Sequence, residues 1–105
     1  MLSYLGYHVG RTSELTAQQR TAILGRAFGM RLPPLNGVEY MKQWALPKSS
    51  GRLKKMAETI ASFARNAKRR RHDRLAVAVE HWEHDLSYLR EAFYVGRFNF
   101  GWPQV

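Results

Sequence analysis

The stretch RLKKMAETIASFARNAKRRR, residues 52–71, has the clearest helical pattern in the chain, because its apolar residues recur at spacings of three and four. The positions that share this spacing are Leu53, Met56, Ala57, Ile60, Ala64 and Ala67. Such a stripe predicts an amphipathic helix that buries one face in a core. Because many of these residues are alanines, we expect another helix to approach that face closely.

Basic residues concentrate on this predicted helix and just after it. Between Ser50 and Arg74 they are Arg52, Lys54, Lys55, Arg65, Lys68, Arg69, Arg70, Arg71 and Arg74. Only Glu58 and Asp73 supply negative charge in that interval. At about 100° per residue, the residues that fall opposite the apolar stripe are Lys54, Lys55, Ser62, Arg65 and Arg69. Asn66 shares this outward face, so the pattern separates an apolar side from a basic one.

Two shorter helices are predicted upstream. In TSELTAQQRTAILGRAFGM, residues 12–30, Thr16 and Gln19 have the spacing of a capping box. The apolar stripe of this helix is Ile23, Leu24, Ala27 and Phe28. In GVEYMKQWALP, residues 37–47, a second helix ends before Pro47 and places on one side Val38, Met41, Trp44 and Ala45. Ser49 or Ser50 can cap the helix that follows.

A fourth helix is expected to begin near Asp73, a residue suited to the N-cap position. Its core stripe is Leu75, Val79, Trp82, Leu86, Leu89 and Phe93. The cluster of like charges at the junction favours a break between the third and fourth helices, because adjacent like charges destabilise a continuous helix. Residues 80–91 carry Glu80, Glu83, Asp85 and Glu91, so we expect part of the basic charge to be paired within the molecule.

The two ends of the chain differ from the helical interior. Phe98, Phe100 and Trp102 alternate with Asn99 and Gly101, a period of two that predicts an extended segment closing the core. This segment could pair with residues 2–11 as a small β-ribbon. We therefore predict a mostly α fold, a compact bundle of about four helices with short extended termini, in a single domain spanning 1–105.

Composition narrows the class of partner. The 105 residues contain 17 Lys and Arg against 8 Asp and Glu, a formal net charge of +9, and no cysteine. Such a charge excess attracts polyanions, whereas the absence of cysteine excludes a disulfide framework and thiol catalysis. No apolar run reaches the roughly 18 residues of a membrane span. We expect a cytoplasmic protein with no membrane association.

Catalytic and metal-binding signatures are weak. No phosphate-binding glycine loop, nucleophile motif or cofactor motif is legible, so we expect neither an enzyme nor a cofactor. In EHWEHD, residues 80–85, His81 and Asp85 share a helical face, as do Glu80 and His84. A metal site needs three or four converging ligands, and a structural role for these residues is favoured.

The sequence thus predicts a small helical module that binds DNA or RNA. The residues expected at the interface are Arg52, Lys54, Lys55, Arg65, Asn66, Lys68, Arg69, Arg70, Arg71 and Arg74. Arginine suits this role because its planar fork makes two hydrogen bonds to one phosphate. The alternative is an adaptor or inhibitor that docks an acidic protein surface. A further alternative is a detached domain of a larger bacterial or phage system.

Overall fold

The computed structural model describes residues 2, 5–10, 12–31, 37–70 and 75–105. Four α-helices follow in chain order: α1 (Ala17–Gly29), α2 (Val38–Trp44), α3 (Ser50–Arg70) and α4 (Ala76–Leu89). A π-helical segment, Arg90–Tyr94, continues α4. The helices confirm the mostly α bundle predicted from the sequence. The described residues contain no β-strand, so the expected terminal ribbon does not form among them.

Helix α3 forms the centre of the bundle and packs against α4, α2 and α1. The whole predicted stripe is buried, from Leu53 to Ala67, and Ala61 adds a further fully buried position. Its most extensive contact is with α4. This agrees with the close helix approach that the alanines predicted. One side of α3 is therefore fixed in the core and the other side is left to solvent.

Helix α1 begins where the capping box predicted. Thr16 Oγ1 accepts a hydrogen bond from the Gln19 N–H at 3.1 Å, and Gln19 Oε1 accepts from the Thr16 N–H at 2.8 Å. Leu24, Ala27 and Phe28 are buried, and Ile23 is half-buried. The predicted stripe of α1 is confirmed.

Helix α4 is rotated relative to its predicted stripe. Leu86 and Leu89 are buried as expected. The other predicted core residues are only half-buried: Leu75, Val79, Trp82 and Phe93. Ala78 and Asp85 occupy the buried positions instead. The prediction missed this rotation because it treated Asp85 as a surface charge. Asp73, the predicted N-cap, lies outside the described residues.

Helix α2 contributes less to the core than its pattern suggested. Trp44 is buried, but Val38 is 68% exposed and Met41 is 38% exposed. After the helix ends, Ser49 Oγ accepts a hydrogen bond from the Arg52 N–H at 3.1 Å. Ser49 thus caps the start of α3, as one of the two predicted alternatives.

The C-terminal aromatic residues pack against the core. Phe98, Phe100 and Trp102 are half-buried, and the Tyr94 ring lies 5.0 Å from Phe100 and 4.8 Å from Trp102 between centroids. The Tyr94 hydroxyl also donates a hydrogen bond to the Phe100 carbonyl oxygen. The prediction that these residues close the core is confirmed.

Candidate functional site

The outward side of α3 carries the basic residues that remain accessible. We call it the basic face of α3, and its residues are Lys54, Lys55, Arg65, Asn66, Lys68, Arg69 and Arg70. Lys55 is half-buried and the others are exposed. At about 1.5 Å per helical residue, the face extends for about 24 Å. Of the predicted interface residues, Arg71 and Arg74 lie outside the described part of the chain.

Local contacts orient several of these side chains without neutralising them. Arg69 Nη2 donates a hydrogen bond to Asn66 Oδ1 one turn earlier. Arg65 Nη1 donates to the Gln104 carbonyl oxygen at 3.3 Å, which links the face to the C-terminal segment. Lys55 Nζ lies 5.6 Å from the centre of the Trp44 ring, within cation–π range. These neutral partners leave the positive charge of each side chain uncompensated.

One acidic residue of α4 pairs with the basic face. Lys68 Nζ lies 3.0 Å from Glu83 Oε1, with both side chains nearly half exposed. Among the described residues, no other member of the face makes a salt bridge. Of the acidic residues in 80–91 that were expected to pair with the basic charge, only Glu83 contacts the basic face among the described residues. The Asp85 carboxylate pairs with Arg20 instead.

Arg52 does not belong to this surface, and its assignment to the predicted interface is wrong. Its side chain is 1% exposed. It donates to four backbone carbonyl oxygens: Trp44 and Ala27 at 2.7 and 2.8 Å, Met30 at 2.8 Å and Ala45 at 3.1 Å. These carbonyls lie at the ends of α1 and α2, where helices have unpaired acceptors. Arg52 thus joins three helices, and its burial lowers the pKa of the guanidinium.

A second buried charge was missed by the sequence reasoning. Arg20 Nε lies 2.9 Å from Asp85 Oδ2, and the Tyr7 hydroxyl donates to the same oxygen at 2.7 Å. His84 Nδ1 lies 2.9 Å from the other carboxylate oxygen. Burial, followed by the Asp85 charge, raises the pKa of Tyr7 above its ordinary value. The network ties the N-terminal segment and α1 to α4.

The position of Arg20 could have revealed this pair. It lies four residues before Leu24, so it continues the apolar stripe of α1 and required a buried partner. Asp85 lies between Trp82 and Leu86 on the corresponding stripe of α4. A charge of each sign at core positions of two helices is a signal for a buried ion pair.

The histidines of EHWEHD have structural partners. The Gly10 N–H donates to His81 Nδ1 at 3.1 Å, so the imidazole must be neutral with its proton on Nε2. Burial, and then the Arg20 charge, lowers the pKa of His81. Three or more potential metal ligands do not come together anywhere in the described segments. His81 accepts a tertiary hydrogen bond from Gly10, and Asp85 is held by Tyr7 and Arg20.

A cavity of about 450 Å³ lies beside the basic face, between α4 and the C-terminal segment. Its lining residues are Glu83, Leu86, Ser87, Arg90, Trp102, Pro103, Gln104 and Val105. Lys68 and Arg65 reach its rim through their contacts with Glu83 and Gln104. Sequence reasoning missed this cavity because it depends on the path by which the C-terminal segment returns to α3.

Comparison of the chain with protein-family models, curated proteins and solved structures finds no match. None of the helices in the described segments combines the length and apolar character that a bilayer crossing requires.

Proposed function

We propose that the protein is a nucleic-acid-binding module that holds a phosphate backbone on the basic face of α3. Its role is binding rather than catalysis. The observation that carries the proposal is the accessibility of this charge: among the described residues, only Lys68 of the face is paired with a carboxylate. Its other cations can exchange water and counterions for phosphate oxygens, which is the main source of affinity in such complexes.

The length of the basic face suits a polymeric ligand, because its cations form two groups, one toward each end of α3, separated by about 15 Å that contain Glu58 and no cation. Phosphates recur about every 3.4 Å along one strand of a duplex. A face about 24 Å long therefore spans about seven of them. Arg65, Arg69 and Arg70 can each make paired hydrogen bonds to a phosphate, and Asn66 adds an amide that also suits base edges.

The packing of α3 supports the proposal through preorganisation. Arg52 and the buried stripe hold the opposite side of α3 on three helices. The cations project from a backbone that is already ordered, so binding does not have to order that backbone. The basic residues lose mainly side-chain freedom when they contact a ligand.

A salt titration tests the proposal. Fluorescently labelled single-stranded and duplex DNA and RNA are offered to the protein at increasing salt, and anisotropy gives the affinity. We expect binding at low salt that weakens steeply as salt rises. The Arg69→Glu/Arg70→Glu variant should weaken binding by at least tenfold, because two phosphate contacts become repulsive.

The matched control is Arg26→Glu/Arg97→Glu, which changes the net charge equally at exposed positions outside α3. It should lose much less affinity. Equal losses in the two variants would show that net charge, not the basic face, attracts the ligand. Absence of binding at low salt would overturn the proposal.

An acidic protein partner is the second candidate. It is favoured by exposed apolar side chains at the start of α2 and in the connection after it, since Val38 is 68% and Leu46 is 75% exposed. Protein interfaces use such residues, whereas a phosphate backbone does not. Binding of polyglutamate as tight as that of an oligonucleotide of equal charge would favour this candidate. Val38→Ser/Leu46→Ser should then weaken capture of the natural partner.

A further inference from the structure

We propose that the cavity beside the basic face receives one unstacked base of a single-stranded nucleic acid. The flanking phosphates would contact the basic face, so the inference rests on the proposed function and adds the strand type to it. Three features carry the inference: an aromatic wall, polar groups at the entrance and two cations at the rim.

The aromatic wall is Trp102. Its ring is held by Tyr94, 4.8 Å away between centroids, and by Phe100 at 6.1 Å in a stacked arrangement. Trp102 is half-buried and lines the cavity. A base that stacks on a fixed aromatic ring gains about 1–3 kcal/mol, whatever its identity.

The polar groups match the edges of a base. Ser87, Gln104 and Arg90 line the cavity. The Arg90 side chain is 52% exposed, and its Nη1 makes a long ion pair of 4.0 Å with Glu91 Oε1. Hydroxyl, amide and guanidinium groups can hydrogen-bond the edges that an unpaired base presents. The volume of about 450 Å³ falls within the range of about 300–1,000 Å³ typical of small-molecule sites.

The rim cations place charge where the flanking phosphates would lie. Arg65 contacts the cavity residue Gln104 at 3.3 Å and has no carboxylate partner among the described residues. Lys68 lies at the rim too, but it is paired with the cavity residue Glu83 at 3.0 Å and would exchange that carboxylate for a phosphate. A base in the cavity is thus adjacent to the basic face. Bases of an intact duplex would first have to be flipped out of the stack at a cost of a few kcal/mol. The cavity should therefore favour single strands.

The variant Ser87→Leu tests the inference by filling the cavity without changing the charge. Probes are a single-stranded DNA and a single-stranded RNA of about 15 nucleotides, and the duplex of the same DNA sequence. We expect single-strand affinity to fall about tenfold and duplex affinity to stay the same. The matched control Gln18→Leu adds the same side chain on the exposed surface of α1 and should change neither.

Three outcomes decide between the proposals. Single-strand affinity that survives Ser87→Leu would overturn the cavity site and leave the basic face intact. Equal losses for single strands and duplex would also overturn it. If wild-type protein binds no probe at low salt, the proposed function itself fails. Trp102→Leu, with folding checked by circular dichroism, should reproduce the single-strand loss because it removes the stacking surface.

Discussion

Arg52 carries a positive charge into the core, where no carboxylate of the described residues pairs with it. Its partners are carbonyl oxygens at the ends of α1 and α2. Helix C-termini carry partial negative charge, so they stabilise a cation that also satisfies their unpaired acceptors. Arg52, which the sequence assigned to the predicted interface, instead fixes α3 to the ends of α1 and α2.

Replacing this anchor should destabilise the fold strongly. We expect Arg52→Met to lower the free energy of unfolding by about 4 kcal/mol, because several buried carbonyls lose their donor. Arg65→Met, on the exposed side of the same helix, should change it by less than about 0.5 kcal/mol. Urea denaturation of both variants measures the difference. If Arg52→Met does not fold, Arg52→Lys should show an intermediate loss of stability. Equal stabilities of Arg52→Met and Arg65→Met would contradict the anchoring role of Arg52.

His81 should make the fold sensitive to acid. Burial and Arg20 lower its pKa in the folded state, against the opposing influence of Asp85 and Glu80. A depressed pKa means that the unfolded chain binds the proton more readily. The free energy of unfolding should therefore be highest above about pH 6.5, the ordinary pKa of histidine, and decline as the pH falls below it.

His81→Asn isolates this contribution to acid sensitivity. The asparagine oxygen can accept the Gly10 N–H but does not titrate near neutral pH. Thermal melts between pH 7.5 and about 5 should show a shallower decline in stability for the variant than for the wild type. Parallel declines in the two proteins would mean that other groups cause the acid sensitivity.

At the scale of the elements, the connection between α2 and α3 contains a strained residue. Ala45 has φ 58° and ψ −166°, a region that glycine occupies readily and alanine at a cost of about 1–3 kcal/mol. Its Cβ also lies 2.9 Å from where a Cβ on Gly51 would be. The two positions are therefore coupled: alanine at 45 requires glycine at 51.

A double-mutant cycle measures this coupling. Ala45→Gly should raise the free energy of unfolding by about 1 kcal/mol, because relief of strain outweighs the added chain entropy. Gly51→Ala alone should destabilise α3 through the close contact. In the Ala45→Gly background the same change should be neutral or stabilising, since alanine favours the helix. Additive effects in urea denaturation would contradict the coupling.

The helices differ in how well their sequence predicted them. Every predicted stripe residue of α3 is buried, because apolar residues keep the spacing of three and four from Leu53 to Ala67. Among the buried residues of α3, only Ala61 and Arg52 were not foreseen. The stripe of α4 was not, because Asp85 occupies a core position and its partner Arg20 is distant in sequence. Arg52 was misassigned for the same reason: periodicity places a residue on a face, but only tertiary contacts show which charged residues have buried partners.

The contact between α3 and α4 should modulate binding. Glu83→Gln removes the one carboxylate that pairs with the basic face among the described residues. Because exposed ion pairs contribute about 0–1 kcal/mol, the free energy of unfolding should change little. Oligonucleotide affinity should instead rise severalfold at low salt, since Lys68 becomes free. The control is Glu80→Gln, at an exposed position of α4 that makes no salt bridge in the described segments. A loss of affinity in Glu83→Gln would contradict the proposal.

Across the whole molecule, the positive charge is unevenly distributed. The chain has a formal net charge of +9, and Arg20 and Arg52 are buried. Six cations project from the basic face of α3; α3 itself carries one acidic residue, Glu58, and Glu83 of α4 pairs with Lys68. This asymmetry follows from the segregation of an apolar and a basic side on one helix, which the sequence predicted. It did not predict the cavity next to that face.

The salt dependence of binding shows whether the basic face of α3 contacts the phosphates. For single-stranded oligonucleotides, each phosphate contact contributes about 0.7 to the slope of log affinity against log salt. We expect Lys54→Gln/Arg65→Gln/Arg69→Gln to reduce the magnitude of this slope by about 2. The control Arg26→Gln/Arg31→Gln/Arg97→Gln, with the same loss of charge, should leave it unchanged. Equal slopes for the two variants would contradict the claim that nucleic acid is held on the basic face of α3.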